Sequence, residues 1–125
     1  MKTLNEYLLT KDNPETETSI ERVPMEEIWQ IGGSFHDCYV KSSVNELTNI
    51  IGKPERMDGD KTNYEWGCRC EGILFYIYDW REPGFTKNAI IDFHIGSSEK
   101  EDSEKAVEFL KSVKLNAYKE KNPWS

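Results

Sequence analysis

An α+β domain is what this sequence predicts: a four-stranded, mainly antiparallel sheet in the order β-α-β-β-β-α, with both helices on one face and an N-terminal arm in front. Residues 62–96 supply the first reason. They read TNYEWGCRCEGILFYIYDW and, after a loop, NAIIDFHIG, three runs rich in aromatic and β-branched residues with period-two alternation. Amphipathic helical patterns flank them, near residues 43–51 and 98–115, and supply the second. Length is the third: 125 residues with 37% apolar content suffice for one modest core and not for two. The expected layout is a short helix and arm over residues 1–34, a single α+β domain over 35–117 and a tail over 118–125.

In chain order, Thr3 and Glu6 have capping-box spacing, and Leu4 and Leu8 share a face, so residues 3–9 predict a short helix. The stretch KDNPETETSIER is acidic, broken by Pro14, and reads as a linker. VPMEEIWQIGG stands open between one helical turn starting at Pro24 and an extended piece ending at Gly32 and Gly33. FHDCYVK, residues 35–41, fits a strand. Ser43 then opens a helix. Its hydroxyl is placed to cap the Glu46 N–H, and Glu46 to return the bond. Val44, Leu47, Ile50 and Ile51 follow at helical spacing, and Gly52 and Pro54 stop the helix. ERMDGDK is a turn-rich loop.

Residues 62–70 and 73–80 predict a hairpin about Glu71-Gly72. Its parity pairs Cys70 with Ile73, Cys68 with Phe75, Trp66 with Ile77 and Tyr64 with Asp79 on an apolar face. The opposite face pairs Arg69 with Leu74, Gly67 with Tyr76, Glu65 with Tyr78 and Asn63 with Trp80. A slip of one residue would exchange the two faces. Glu is not a preferred residue in the tightest turns, so a longer loop of the same parity stays open. After the loop REPGFTK, Ala89, Ile91, Phe93 and Ile95 point to the core and alternate with Ile90, Asp92 and His94. The last helix starts at Ser98 or Ser103. Glu99, Glu101, Asp102 and Glu104 crowd its start, and Lys111 and Lys114 lie near its end, as the helix dipole favours. Ala106, Val107, Leu110 and Val113 form its packing face. The tail AYKEKNPWS is expected to be loose.

A net charge of −7 repels a phosphate backbone on average and argues against sequence-independent nucleic-acid binding. It suits a basic protein partner, or serves solubility alone. No apolar run approaches the length of a membrane span, and the first nineteen residues lack a secretory pattern, so a cytoplasmic location is expected. Cys38, Cys68 and Cys70, an odd number, read as reduced, buried thiols.

The face that mixes rings with charges is the candidate site: Glu65, Arg69, Tyr76, Tyr78, Trp80, Asp92 and His94, with Arg81 just beyond the hairpin. Tyr and Trp join large apolar area to a polar tip, and Arg69 suits an anion or a ring. Such a face would stack a planar ligand or seat a protein. The competing reading has the arm, through Ile28 and Trp29, cover it as a second small core. A metal site from His36, Cys38, Cys70 and His94 matches no zinc spacing, and parity puts Cys70 and His94 on opposite faces, so neither metal nor cofactor is expected. Catalysis would draw on Asp37, Asp79, Asp92 and Glu65 with His36 or His94 as base, but no motif fixes them together. Asp79 is more simply a partner of Arg81 or a cap on the following loop. Gly32-Gly33-Ser34 offers at most a weak anion nest.

Ile51-Gly52-Lys53-Pro54, Tyr64-Glu65-Trp66, Tyr78-Asp79-Trp80-Arg81-Glu82 and Phe93-His94-Ile95-Gly96 together resemble a group of small tailed-phage proteins. That group carries a G-x-P helix stop, an E-W strand, a Y-D-W-[KR] strand end and a W-H-I-G-G strand end. The likeness spans residues 35–113, with Phe93 in place of the Trp and Ser97 in place of the second Gly. It implies a phage setting, and with it a non-catalytic inhibitor that occludes a host enzyme or defence protein. The alternative it implies is a protein that sequesters a small, cyclic or linear nucleotide, stacked on Tyr76, Tyr78 or Trp80, with Arg69, Arg81 or a lysine at the phosphates and a homodimer to enclose it. A small hydrolase is the third expectation. The helix-then-meander order also resembles β-lactamase-inhibitor-protein-type domains, which bind through an exposed sheet face.

Overall fold

The computed structural model describes residues 19–56, 62–80 and 84–120. Its elements in chain order are β1 (Glu21–Val23), α1 (Met25–Ile31), β2 (Ser34–Ser42), α2 (Val44–Ile50), β3 (Glu55–Arg56), β4 (Tyr64–Cys70), β5 (Ile73–Tyr78), β6 (Ile91–Ser97), α3 (Lys100–Ser112) and β7 (Asn116–Lys119). The strands form one antiparallel sheet in the spatial order β1-β4-β5-β6-β2-β7, and β3 also pairs with β4. The α+β class and the antiparallel sheet agree with the sequence. The strand count is corrected from four to seven among the described residues, because β1, β3 and β7 are too short to print a periodic pattern. The short helix expected at residues 3–9, the Asp58-Gly59 turn, Arg81 and Trp124 lie outside the described residues.

The central hairpin has the register that parity required. Cys70 pairs with Ile73, Cys68 with Phe75 and Trp66 with Ile77, while Arg69, Gly67 and Glu65 pair with Leu74, Tyr76 and Tyr78. Glu71 (φ 51°) and Gly72 (φ 80°) close it as a two-residue turn with both residues at positive φ. The longer loop left open for Glu71 is not used. At the hairpin's other end Asp79 is fully buried. It accepts hydrogen bonds from the backbone N–H groups of Asn63 and Tyr64 and from Asn63 Nδ2, each at 2.8 Å. Asp79 thus ties down the start of β4.

One face of the sheet carries the main core. Trp66, Cys68, Phe75, Ile77, Phe93, Ile95, Cys38 and Val40 are fully buried there, against Val44 and Leu47 of α2 and Ala106, Val107 and Leu110 of α3. Ser43 caps α2 as its spacing predicts, with Oγ accepting from Glu46 N at 3.0 Å. The return bond differs: the Glu46 carboxylate takes its hydrogen bond from the Ser42 hydroxyl. Trp66 Nε1 donates to Gly52 O at 2.8 Å, just past the helix stop.

The two helices that the sequence predicts, α2 and α3, share that face as expected, and the segment left open between a helical turn and an extended piece forms a third helix, α1, on the other. Pro24 stands at its N-cap, and Glu55 of β3 accepts from Met25 N at 2.7 Å. Met25 and Ile28 join Val23 in a second, smaller cluster on the opposite face, packed against Leu74 and Tyr76. Residues 19–34, assigned to an arm, are therefore built into the sheet and its far side.

Residues 117–119, expected to be loose with the rest of the tail, belong to β7 and pair with β2. The reason lies in how α3 ends. Lys114 takes φ 73°, Leu115 N bonds Leu110 O at 3.0 Å and Lys114 N bonds Lys111 O at 3.0 Å, a Schellman turn with lysine where glycine is usual. The turn sends the chain back along β2, with Ala117 buried. Further along β2, Phe35 pairs with Gly96 but Cys38 with Ile95, so His36 and Asp37 bulge out, Asp37 at φ 64°.

Asp79→Ala leaves the two backbone N–H groups of Asn63 and Tyr64 without their acceptor. It is expected to cost about 2–4 kcal/mol of unfolding free energy. A lowered urea midpoint at unchanged m-value would register it.

Candidate functional site

Antiparallel pairing sets residues from neighbouring strands side by side, and on the face away from α2 and α3 it assembles a row of rings. Glu65, Tyr78, His94, Tyr39 and Tyr118 are successive cross-strand partners on β4, β5, β6, β2 and β7. Ring centroids lie 5.3 Å apart between Tyr78 and His94, 5.2 Å between His94 and Tyr39, and 5.3 Å between the stacked Tyr39 and Tyr118. Phe35 lies over His94 at 4.6 Å, and Tyr76 stacks on Tyr78 at 5.0 Å. Trp80 meets Tyr78 edge-on at 6.2 Å.

A neighbouring row explains how Tyr76 lies down. Its cross-strand partners are Gly67 and Gly96. A Cβ on Gly96 would come within 2.5 Å of the Tyr76 ring, and one on Gly33 within 2.7 Å. A Cβ on Gly67 would meet Val23 O at 2.5 Å. The glycines let the ring lie against one strand and the β1–α1 segment close over another.

The β1–α1 segment covers the β4–β5 end of this face and leaves the row through β6, β2 and β7 in place beyond it. At the boundary is a cleft of about 300 Å³. Trp29, Gly32 and Gly33 line it from α1 and its exit, and Thr62, Glu65, Tyr76, Tyr78 and Trp80 line it from the hairpin. Trp29 is 59% exposed and Trp80 39%, whereas Glu65 is only 9% exposed. Glu65 Oε2 accepts from Thr62 Oγ1 at 3.0 Å. Its Oε1 is buried and, among the described residues, has no hydrogen-bond partner. Burial pushes the Glu65 carboxyl above its ordinary range; the Thr62 bond pulls the other way, and the charges of Glu55 and Asp79 add to the rise. Burial lowers the His94 imidazole, against Asp92 and Asp79, and so favours its neutral form.

Of the residues the sequence singles out, Glu65, Tyr76, Tyr78 and Trp80 thus come together at the cleft, and His94 abuts two of their rings. Arg69 is on the same face but engaged elsewhere, pairing with Glu21 at 3.2 Å and Glu27 at 3.4 Å, where it fastens α1 and β1 to β4. Asp92 lies at the far end, accepting from Tyr118 Oη at 2.9 Å with Lys41 Nζ at 3.8 Å. Arg81 falls outside the described residues. The competing reading, in which Ile28 and Trp29 cover this face, holds in part: Ile28 joins the second cluster, and Trp29 stays exposed at the cleft. Sequence reasoning missed Thr62 as a cleft residue, and Phe35, Tyr39 and Tyr118 as part of the row. The alternation of Tyr39 with buried Cys38 and Val40 is the signal that would have found one of them. Among the described residues no three of His, Cys, Asp and Glu converge as a metal site. Cys38, Cys68 and Cys70 are free and buried, and burial pushes each thiol up.

No family model matches the chain, and no curated protein or solved structure matches it either.

A carboxyl with a raised folded-state pKa is penalised in its charged form by the fold. Its stability contribution is complete below the unfolded value, about 4.3, and is lost as pH rises through the folded value. Glu65→Gln, which keeps an acceptor for Thr62, is therefore expected to be more stable than the parent near neutral pH. The gap should close as pH falls through the folded pKa of Glu65, as denaturation midpoints measured across pH will show.

Proposed function

We propose that this chain is a non-catalytic binding protein that seats a protein partner on the ring-bearing face of its sheet and occludes it. The observation that carries this reading is the ring row itself, from Tyr78 through His94 and Tyr39 to Tyr118, running into a cleft walled by Trp29 and Trp80. Aromatic side chains set side by side on a rigid sheet offer contact area at little cost in side-chain entropy, which is what recognition surfaces use. The net charge of −7 adds steering toward a basic partner. The likeness to small tailed-phage proteins makes a host protein the natural partner, with inhibition by occlusion as its consequence.

A binding face of this kind has a direct test. The double variant Trp80→Ala/Tyr118→Ala, checked for an unchanged melting temperature, is expected to lose at least about tenfold in affinity for a partner captured from host lysate by the parent. Equal capture by parent and variant would show that the partner binds elsewhere.

The nucleotide reading draws support from a different place than the sequence suggested. Arg69 is held by two carboxylates, and Glu65, the carboxyl among the described residues lining the ring-lined cleft, has no base beside it there. On the α2 side, however, a cleft of about 230 Å³ is lined by Lys53, Arg56 and Lys87 together with Asn45, Thr48 and Tyr64. Arg56 lies 4.8 Å from the centre of the Tyr64 ring. Three cations converging in an acidic chain reverse the local field and suit phosphate oxygens. If a nucleotide binds there, linear or cyclic nucleotides will raise the melting temperature of the parent and not of Lys53→Ala/Lys87→Ala. No rise at millimolar nucleotide would retire this second reading.

A further inference from the structure

We infer that the cleft between α1 and the hairpin is a receptor for a guanidinium group, an arginine side chain presented by the protein partner. The inference deepens the binding-face reading and rests on it for the identity of the donor.

Glu65 carries the argument. A carboxyl oxygen buried without a hydrogen bond is costly, and in a native structure such a group calls for an explanation, of which a bound donor is one. Glu65 lines the cleft and is 9% exposed, its Oε2 is taken by Thr62, and its Oε1 is buried with no hydrogen-bond partner among the described residues. Among the described residues no cation of the chain pairs with it. Arg69 is engaged by Glu21 and Glu27, and Lys41 by Asp92.

The complement of this site is a positively charged N–H donor. The Glu65 oxygen needs a donor, and the negative π-faces of Trp29, Tyr76, Tyr78 and Trp80 favour a cation among them. A phosphate or carboxylate would meet the Glu65 carboxyl and, among the described lining residues, no compensating base. Between the two biological cations, guanidinium fits better than ammonium. It is planar, lies flat on a ring while an edge N–H reaches a carboxylate, and is more weakly hydrated, so entry into the cleft strips it at lower cost. At about 300 Å³ the cleft has room for the whole side chain, stem included. The donor belongs to a protein because the cleft opens onto the ring row, where a partner surface continues beyond the anchoring residue, and because arginine is a favoured anchor at such interfaces.

The test is a titration with N-acetyl-arginine amide, followed by the indole N–H signals of Trp29 and Trp80. Saturable shifts at about millimolar concentration are expected. N-acetyl-citrulline amide, the neutral isostere, should bind at least about tenfold more weakly, and Glu65→Gln should weaken arginine binding by a similar factor. Trp29→Ala, at an exposed position, should weaken it several-fold without touching the fold. Glu108→Gln on α3, where the side chain is 73% exposed, removes the same charge from the other layer and should bind like the parent. Citrulline binding as well as arginine, Glu65→Gln titrating like the parent, or lysine amide binding more tightly than arginine amide would each overturn the assignment. If arginine amide fails while capture still depends on Trp80 and Tyr118, the guanidinium site falls and the binding face stands. If arginine amide binds but capture ignores those residues, the reverse holds.

Discussion

The register of the β4–β5 hairpin is the constraint on which the rest of this structure depends. It is fixed from both ends. Glu71 and Gly72 hold a two-residue turn at positive φ, and the buried carboxylate of Asp79 grips the backbone where β4 begins. Between these clamps parity does the sorting. Trp66, Cys68, Phe75 and Ile77 go to the helical layer, and Glu65, Tyr76 and Tyr78 go to the other. A slip of one residue would bring fully buried Trp66 and Phe75 to water, at about 2–3 kcal/mol each by area alone, and would bury Glu65 among α2 and α3.

The second face is shared between two demands. At one end it is a small core, where Val23, Met25 and Ile28 close over Gly67 and Arg69 fastens the cover through Glu21 and Glu27. At the other it is a row of rings with polar tips. The cleft arises where the cover stops, and the acid at that boundary is the group least suited to a purely structural role. Burial pushes that carboxyl above its ordinary range, so its charged form works against the fold.

How much of this could be read from the chain follows from how local each determinant is. The hairpin register, the Ser43 cap and the alternation through Phe93 and Ile95 are set by residues close in sequence, and they were legible. The strands β1, β3 and β7 were not: three, two and four residues carry too little alternation to be told from loop. The turn into β7 was hidden because Lys114 occupies the left-handed position where glycine would have signalled it. At the site, parity alone put Glu65, Tyr76 and Tyr78 on one face. That Tyr39 and Tyr118 extend the same row depends on non-local pairing through a bulged strand, and that Arg69 is already engaged depends on acids more than forty residues away. Neither fact leaves a trace in local pattern.

The stubby margins of the sheet have a consequence of their own. Its outermost described strands are three residues (β1), two (β3) and four (β7), and β7 is pinned by Lys119 reaching Glu104 on α3. Such borders present no long run of open amides for a foreign strand to zip onto. Lateral growth into filaments is disfavoured along these edges.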